Sequence, residues 1–392
     1  MVHKLKNIIK FFIFYFLNLI IFPTKKIMPN SMLLIRLDTI GDYILFRNFI
    51  EIIKKSEKYK DYKITLLGNE AWKEIAQEFD GEFIDDFIWL NIRKFNRNLI
   101  YRYRKLKEII KKGYEIVVDS TYSREFYYSD IIVKVLTAKE KTGSEGDLSN
   151  IEPWQKKISD TYYTKLISAE KEVIFEFYRN KEFFENFLET KLDVKKPHIN
   201  LKPKNLFFQL PKEYAILFIG ASLGNKKWRI ENFAKVGRYI KSKYGYEIVL
   251  CGGKEDMNEV KKFKKYFGMD FTDLTGKTSL IDLLYVVYNG NVMVSNDTSA
   301  PHLAVALNMR GVVFVVYNGV HFGRFVPYPK EIYENYHAIY HPDIERDLEN
   351  YQKLSNSYGY EYGNGIKLNI NEIAAESVIE NIKKNLQTTP LF

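Results

Sequence analysis

Residues 31–45 read SMLLIRLDTIGDYIL. Residues 31–37 are an apolar run of the length expected for a buried strand. Residues 38–42 (DTIGD) make a tight loop, and over residues 43–55 Ile44, Phe49, Ile52 and Ile53 fall at helical spacing. The alternation continues outward from this strand, turn and helix. Residues 63–67 read as a strand, 71–79 as a helix, 83–90 as a strand, 100–112 as a basic helix stopped by Gly113, and 115–119 as a strand. Strands alternating with helices imply parallel βαβ units. Residues 137–159 are polar without a clear period and read as loop, and residues 171–188 as an aromatic-rich helix.

Residues 191–212 carry Pro197, Pro203 and Pro211 among lysines and read as a linker. The alternation then restarts. Strands are expected over 214–219, 247–251, 292–295 and 311–317, and helices over 230–243, 254–267, 279–288 and 300–308, with a closing amphipathic helix over 372–385. The expected division is a hydrophobic and basic membrane-associating segment at 1–28, an α/β domain at 31–190, the linker at 191–212, a second α/β domain at 213–371, and a C-terminal helix and tail at 372–392. Two such domains would take a ligand in the cleft between them, at the carboxyl ends of their strands.

The 392 residues suit two domains, and 46% hydrophobic with 16% aromatic residues excludes a disordered chain. The single cysteine, Cys251, excludes a disulfide framework and a cysteine-rich zinc site, and suits a reducing compartment. The formal net charge of +10 points to an anionic partner. The lysines are scattered and no nucleic-acid signature accompanies them, so a membrane surface or a phosphorylated substrate is favoured over nucleic acid. Residues 8–22 (IIKFFIFYFLNLIIF) lie between Lys4, Lys6 and Lys10 on one side and Lys25-Lys26 on the other. The stretch is short of the roughly 20 apolar residues of a spanning helix, and no small-residue cleavage site follows it. It reads as an interfacial helix with lysines on headgroups, or as a helix packed on the protein body.

Four features could carry chemistry. Asp42 follows Gly41 at a helix start; a helix N-cap is the bland alternative, and Asp38 is its nearest competitor. Residues 295–302 (SNDTSAPH) end a strand in a polar turn, where Asp297, Thr298, Ser299 and a free helix N-terminus suit a phosphate. The alternatives there are capping by Asp297 or Ser299, with Pro301 in the first turn, and a packed His302. Residues 220–228 (GASLGNKKW) form a glycine-containing loop with Ser222, Lys226 and Lys227 that could hold a diphosphate, although it lacks the P-loop spacing. Residues 252–256 (GGKED) end the next strand, where Asp256 or Glu255 would bond a ribose or cap a helix. No DxD and no metal-ligand spacing is present, so lysines and helix N-termini would have to neutralise a leaving diphosphate.

Taken together, residues 33–45, 220–236, 251–256 and 273–307, in this order, resemble glycosyltransferase family 9, the heptosyltransferases of lipopolysaccharide core assembly. The resemblance implies the GT-B architecture: two facing Rossmann-like domains, acceptor on the first and nucleotide sugar on the second. It implies inverting, metal-independent transfer of a sugar, heptose by family precedent, from a nucleotide-diphosphate sugar such as ADP-heptose to a lipid-linked oligosaccharide. Asp42 falls on the family's base, and Lys227, with Lys226 and Ser222 beside it, on its phosphate-binding lysine. Asp297, Thr298 and Ser299 fall on the Asp-Thr-Gly that holds the donor, His302 on the following histidine, and Asp256 on an acidic residue near the ribose. Arg36 and Gly41 then fall on the acceptor side. Ser299 departs from the family glycine and leaves the donor open. The implied place of work is cytoplasmic, on the inner membrane. A non-catalytic glycan- or nucleotide-sugar-binding protein and a nucleotide-sugar epimerase remain as alternatives on the same fold.

Overall fold

The computed structural model describes Phe14, residues 26–359 and residues 368–386. The chain forms two compact units. Unit 1 comprises Met1–Glu170 with Tyr178–Asp193, and unit 2 comprises Lys171–Phe177 with Val194–Phe392. The division falls within the helix Glu176–Leu188.

Unit 1 is built on six strands: β1 (Ser31–Arg36), β2 (Lys63–Asn69), β3 (Asp86–Leu90), β4 (Ile116–Asp119), β5 (Glu140–Ser144) and β6 (Lys165–Ile167). They pair in the order β3-β2-β1-β4-β5-β6, every pair parallel. Parallel strands covered on both faces must be apolar throughout, and residues 32–35 of β1 are all fully buried. β5 (EKTGS) breaks that pattern, which is why residues 137–159 read as loop; the structure corrects this to β5 plus the helix Pro153–Ser159. β5 is paired on both sides, and its buried Thr142 hydroxyl is satisfied locally by Glu140 at 2.5 Å. The helix expected over 43–55 begins earlier and is interrupted, as Ile40–Phe46 and Asn48–Lys55.

Unit 2 carries β7 (Tyr214–Phe218), β8 (Glu247–Cys251), β9 (Thr272–Asp273), β10 (Val292–Asn296), β11 (Val312–Tyr317) and β12 (Tyr336–Tyr340). Their order is β12-β11-β10-β7-β8-β9, again all parallel. Helices Ile230–Tyr244, Met257–Phe267 and Ala375–Leu386 bring Phe233, Ile240, Phe263, Phe267, Val378 and Ile382 into one core with the sheet. Within each unit the strand order reverses once, between β1 and β4 and between β7 and β10. Ligands of such sheets bind at the carboxyl ends of the strands beside that reversal, and the loops after β1, β7 and β10 carry most of the expected site residues, with Arg36 at the end of β1 and Asp256 after β8.

The membrane-associating helix expected within residues 1–28 lies largely outside the described residues and finds no support in the fold. Phe14 is buried, with the Arg102 guanidinium 3.9 Å from its ring centroid and Tyr127 edge-on at 5.7 Å. Among the described residues no helix is long and apolar enough to cross a membrane.

Candidate active site

The loop after β1 is fixed from beneath. Asn69 donates to the carbonyls of Leu37 and Asp38 at 3.1 and 3.0 Å, and the Trp72 indole N–H donates to the Asp38 carbonyl at 3.1 Å. Trp72 stacks on Tyr43 at 3.8 Å. Its seat exists because residue 68 is glycine: a Cβ there would lie 2.2 Å from the indole. On the other side the Tyr43 hydroxyl donates to Asp80 at 2.7 Å, and Asp80 also pairs with Arg47 at 2.7 Å. Burial raises the Asp80 carboxyl above its ordinary range, although Arg47 opposes the shift.

Thr39 is the N-cap of the helix Ile40–Phe46, and Asp42, in the first turn with Gly41 buried before it, closes a capping box with Thr39, so the helix-cap reading of Asp42 is part of what forms. Asp42 Oδ2 accepts from the Thr39 backbone N–H at 3.0 Å and the Thr39 hydroxyl at 2.6 Å. Both bonds fall on one oxygen. Oδ1 takes no hydrogen bond among the described residues, and the side chain is half-buried. The carboxylate is therefore oriented by the turn with one oxygen left for a proton. Arg36, expected to contact an acceptor, is instead fully buried: it pairs with Asp38 at 3.0 Å and donates to Asn180 at 2.9 Å. Burial at the end of a central strand removes it from solvent, so it supports the loop and does not itself present a surface.

In unit 2 the loop after β7 is held by two asparagines that sequence reasoning missed. Asn296 accepts from the Trp228 backbone N–H at 3.0 Å and donates to the Ile219 and Gly220 carbonyls at 2.8 and 3.4 Å. Asn318 donates to the carbonyls of Asn225 and Leu368 at 2.9 and 3.1 Å. Lys226 reaches across to Asp297 at 2.5 Å, both nearly buried. Lys227 pairs with Asp256 at 2.6 Å and keeps 36% of its side chain exposed. Ser222 is exposed on the same loop.

Asp256 is 1% exposed, with its second oxygen taking the Gly253 N–H at 2.9 Å. A Cβ at Gly220 would stand 2.7 Å from that oxygen, so glycine is what gives the carboxylate its seat. Of the two readings of Asp256, the cap is the one that forms: it takes the Gly253 N–H in a capping box and holds Lys227 with its other oxygen, an enclosure that leaves no room for the expected ribose contact.

The helix Ser299–Ala306 follows β10 directly, with Thr298 as its N-cap and no side chain capping it. Capping by Asp297 or Ser299 is therefore not what forms, since Asp297 is taken by Lys226. The backbone N–H groups of Ser299 and Ala300 have no acceptor among the described residues, and Thr298 and Ser299 are half-buried beside them. His302 is a packed histidine, its Nδ1 2.5 Å from the Tyr328 hydroxyl. Burial, and then the Asp297 carboxylate, push the phenols of Tyr317, Tyr328 and Tyr336 well above their usual range. Among the described residues no three His, Cys, Asp or Glu side chains group to hold a metal ion.

Unit 2 thus presents two lysines, a hydroxyl-rich turn and free helix N–H groups at one strand reversal, the dress of a diphosphate site. The profile of glycosyltransferase family 9 (heptosyltransferase) matches residues 102–350, more than half of the chain. The chain belongs to glycosyltransferase family 9. It is a glycosyltransferase of the heptosyltransferase family.

The matched span holds the loops after β7 and β10; Asp42 precedes it. The fold agrees with solved structures over nearly the whole chain. A family 9 glycosyltransferase from Veillonella parvula superposes with TM-score 0.66 at 18% identity, covering 92% of this chain and 97% of that one. E. coli heptosyltransferase WaaC with ADP gives 0.63 at 16%, covering 91% and 99%. E. coli ADP-heptose lipopolysaccharide heptosyltransferase II gives 0.61 at 15%, covering 91% and 98%. At these identities the likeness is one of fold: two parallel six-stranded sheets, as in the GT-B heptosyltransferases. No curated protein matches the chain in sequence.

Proposed function

We propose that this glycosyltransferase is inverting and metal-independent, and moves a heptose from an ADP-heptose-type nucleotide sugar to a lipopolysaccharide- or lipooligosaccharide-type acceptor. The observation that carries the reading is Asp42: Oδ2 is pinned by Thr39, Oδ1 takes no hydrogen bond among the described residues, and the residue stands in the first turn after a central strand. The acceptor hydroxyl oxygen attacks the anomeric carbon while its proton passes to Asp42 Oδ1. The bond from that carbon to the diphosphate breaks with its electron pair, inverting the centre. The departing charge is met by Lys227, Lys226 and the N–H groups at Ser299 and Ala300. This chemistry requires the acceptor held near Asp42 to meet the donor held by unit 2 during turnover. The proposed place of work is the cytoplasmic face of the inner membrane, where a lipid-linked acceptor resides and the basic chain would be attracted.

The test is product analysis with nucleotide sugars, with and without acceptor. Asp42→Asn is expected to lower transfer by roughly 10²–10⁴-fold while leaving nucleotide affinity unchanged. Full activity in that variant refutes the assigned base. A donor converted without acceptor indicates an epimerase, and one bound but never turned over a binding protein.

A further inference from the structure

Between Asn91 and Lys107 the chain carries Arg93, Lys94, Arg97, Arg102, Arg104, Lys105 and Lys107 and no acidic residue. The stretch folds in unit 1 as the helix Ile92–Arg97 and the start of the helix Leu99–Lys112, joined at Asn98, whose side chain caps the second. The second helix buries Arg102, Leu106, Ile109 and Ile110. It turns Ile100, Arg104, Lys107 and Lys111 outward, the i, i+4, i+7, i+11 stripe of a single face. Arg93, Lys94, Arg97 and Arg104 enter no ion pair among the described residues. In their midst Leu99 and Ile100 are 43% and 65% exposed. On the same helix the Arg102 guanidinium lies between the rings of Phe14 and Phe95, at 3.9 and 4.3 Å.

Cations without carboxylate partners around two exposed aliphatic side chains suit one kind of partner. Anionic headgroups take the guanidinium and ammonium groups, while the aliphatic tips enter the acyl boundary. A nucleic acid would use the charges but leave Leu99 and Ile100 in water, and this surface carries no exposed aromatic ring for a base to stack on. We propose that residues 92–107 form a membrane-docking surface for anionic lipid, adjoining Phe14 and independent of the donor and base residues. The proposal rests on the reading of the protein as a peripheral membrane enzyme and gives that reading a second, folded contact.

The experiment is co-sedimentation of the full chain with phosphatidylglycerol-containing vesicles and with phosphatidylcholine vesicles. Three variants are compared with wild type: Arg93→Gln/Lys94→Gln/Arg97→Gln, Leu99→Ser/Ile100→Ser, and Phe14→Asp. All residues of the first two are exposed, so unchanged thermal midpoints are expected and are measured. Wild type should bind the anionic vesicles and release them with salt. Removal of three charges should weaken binding roughly a hundredfold. Loss of the two aliphatics should weaken it severalfold even at high salt. If wild type binds but the first two variants bind equally well, this surface is overturned and the membrane reading stands, with Phe14→Asp reporting on the N-terminal stretch. Absence of wild-type binding overturns both. Weakened binding of bulk RNA with unaltered vesicle binding in the triple variant would assign the surface to nucleic acid and refute the proposal.

Discussion

Replacing Asn296 by alanine should loosen the loop that carries Lys226 and Lys227 without touching either lysine. Asn296 is fully buried at the end of β10. Its bonds to the Trp228 N–H at 3.0 Å and the Ile219 carbonyl at 2.8 Å are good, and that to Gly220 at 3.4 Å is marginal. Alanine leaves two buried backbone groups unpaired. Each such group costs about 1–3 kcal/mol, so the loss is about 2–6 kcal/mol, toward the lower end if water enters. At about 2–4 °C per kcal/mol for a domain of this size, that lowers the melting midpoint by roughly 4–24 °C. The loop keeps its anchors at Asn318 and at the Trp228 indole, which donates to the Ile373 carbonyl at 2.8 Å, so it loosens at its stem and does not detach. Misplacement of Lys226 and Lys227 by a fraction of an ångström should then weaken nucleoside diphosphate binding between roughly tenfold and a hundredfold. Thermal unfolding and calorimetric titration with ADP measure both. An unaltered midpoint shows that the network does not hold the loop. A lowered midpoint with unaltered affinity shows that the loop is not the diphosphate seat.

Lys227→Ala should weaken ADP binding and also destabilise the protein, because Asp256 stays buried without its cation; adding Asp256→Asn should restore the melting midpoint but not the affinity, and restored affinity would refute the phosphate role of Lys227. Gly68→Ala drives a methyl into Trp72 and Trp89 and should cost about 1–3 kcal/mol in urea unfolding, with wild-type stability excluding the close packing. His337 in β12, stacked on Phe314 of β11, has its pKa lowered from 6.5 to about 4 by burial and then by Lys330 and Lys384. The unfolded chain therefore takes up a proton that the folded one refuses, and stability falls as pH falls from about 6.5 to about 4, by on the order of 1 kcal/mol for this partly exposed ring. His337→Gln should flatten that slope in denaturant midpoints measured across the window, and an unaltered slope assigns it to other groups.

What was legible follows from how the information is stored. β1, β7, β10 and β11 were readable because a strand buried on both faces must be apolar along its length. β5 was not, because Thr142, Gly143 and Ser144 carry no hydrophobic signal and are held by pairing to β4 and β6. The turns with Asp42 and Asp297–Ser299 stood out because polar residues crowd a strand-to-helix junction. The roles beneath them did not. Nothing in the sequence says that Asn296 bonds the residue after Lys227, or that Asp256 faces inward to Lys227 and not outward to a ribose, since both depend on which loops the strand order brings together. Arg36 failed for the same reason: a charged residue at a strand exit reads as exposed, and its burial rests on Asp38 and Asn180, the latter distant in sequence.

The two units share one strand order yet present different groups at the strand reversal. Unit 1 offers a carboxylate with one oxygen anchored; unit 2 offers two lysines and a helix start. In unit 2 each lysine is already paired with a buried carboxylate, which keeps two like charges in adjacent positions without an anion present. The proposed diphosphate would then compete for cations that are in position, and the carboxylates would be shared and not removed. Ser299 fits that arrangement. Pro301 supplies no N–H in the first turn, so the helix start has few backbone donors to offer. A serine hydroxyl at a position where the resemblance expects glycine would add one donor there, in exchange for the closer backbone approach that glycine would allow. The donor's diphosphate should therefore be gripped by side chains more than by backbone in this protein, and its affinity should respond more to Lys227 and Ser299 substitution than to changes in the helix behind them.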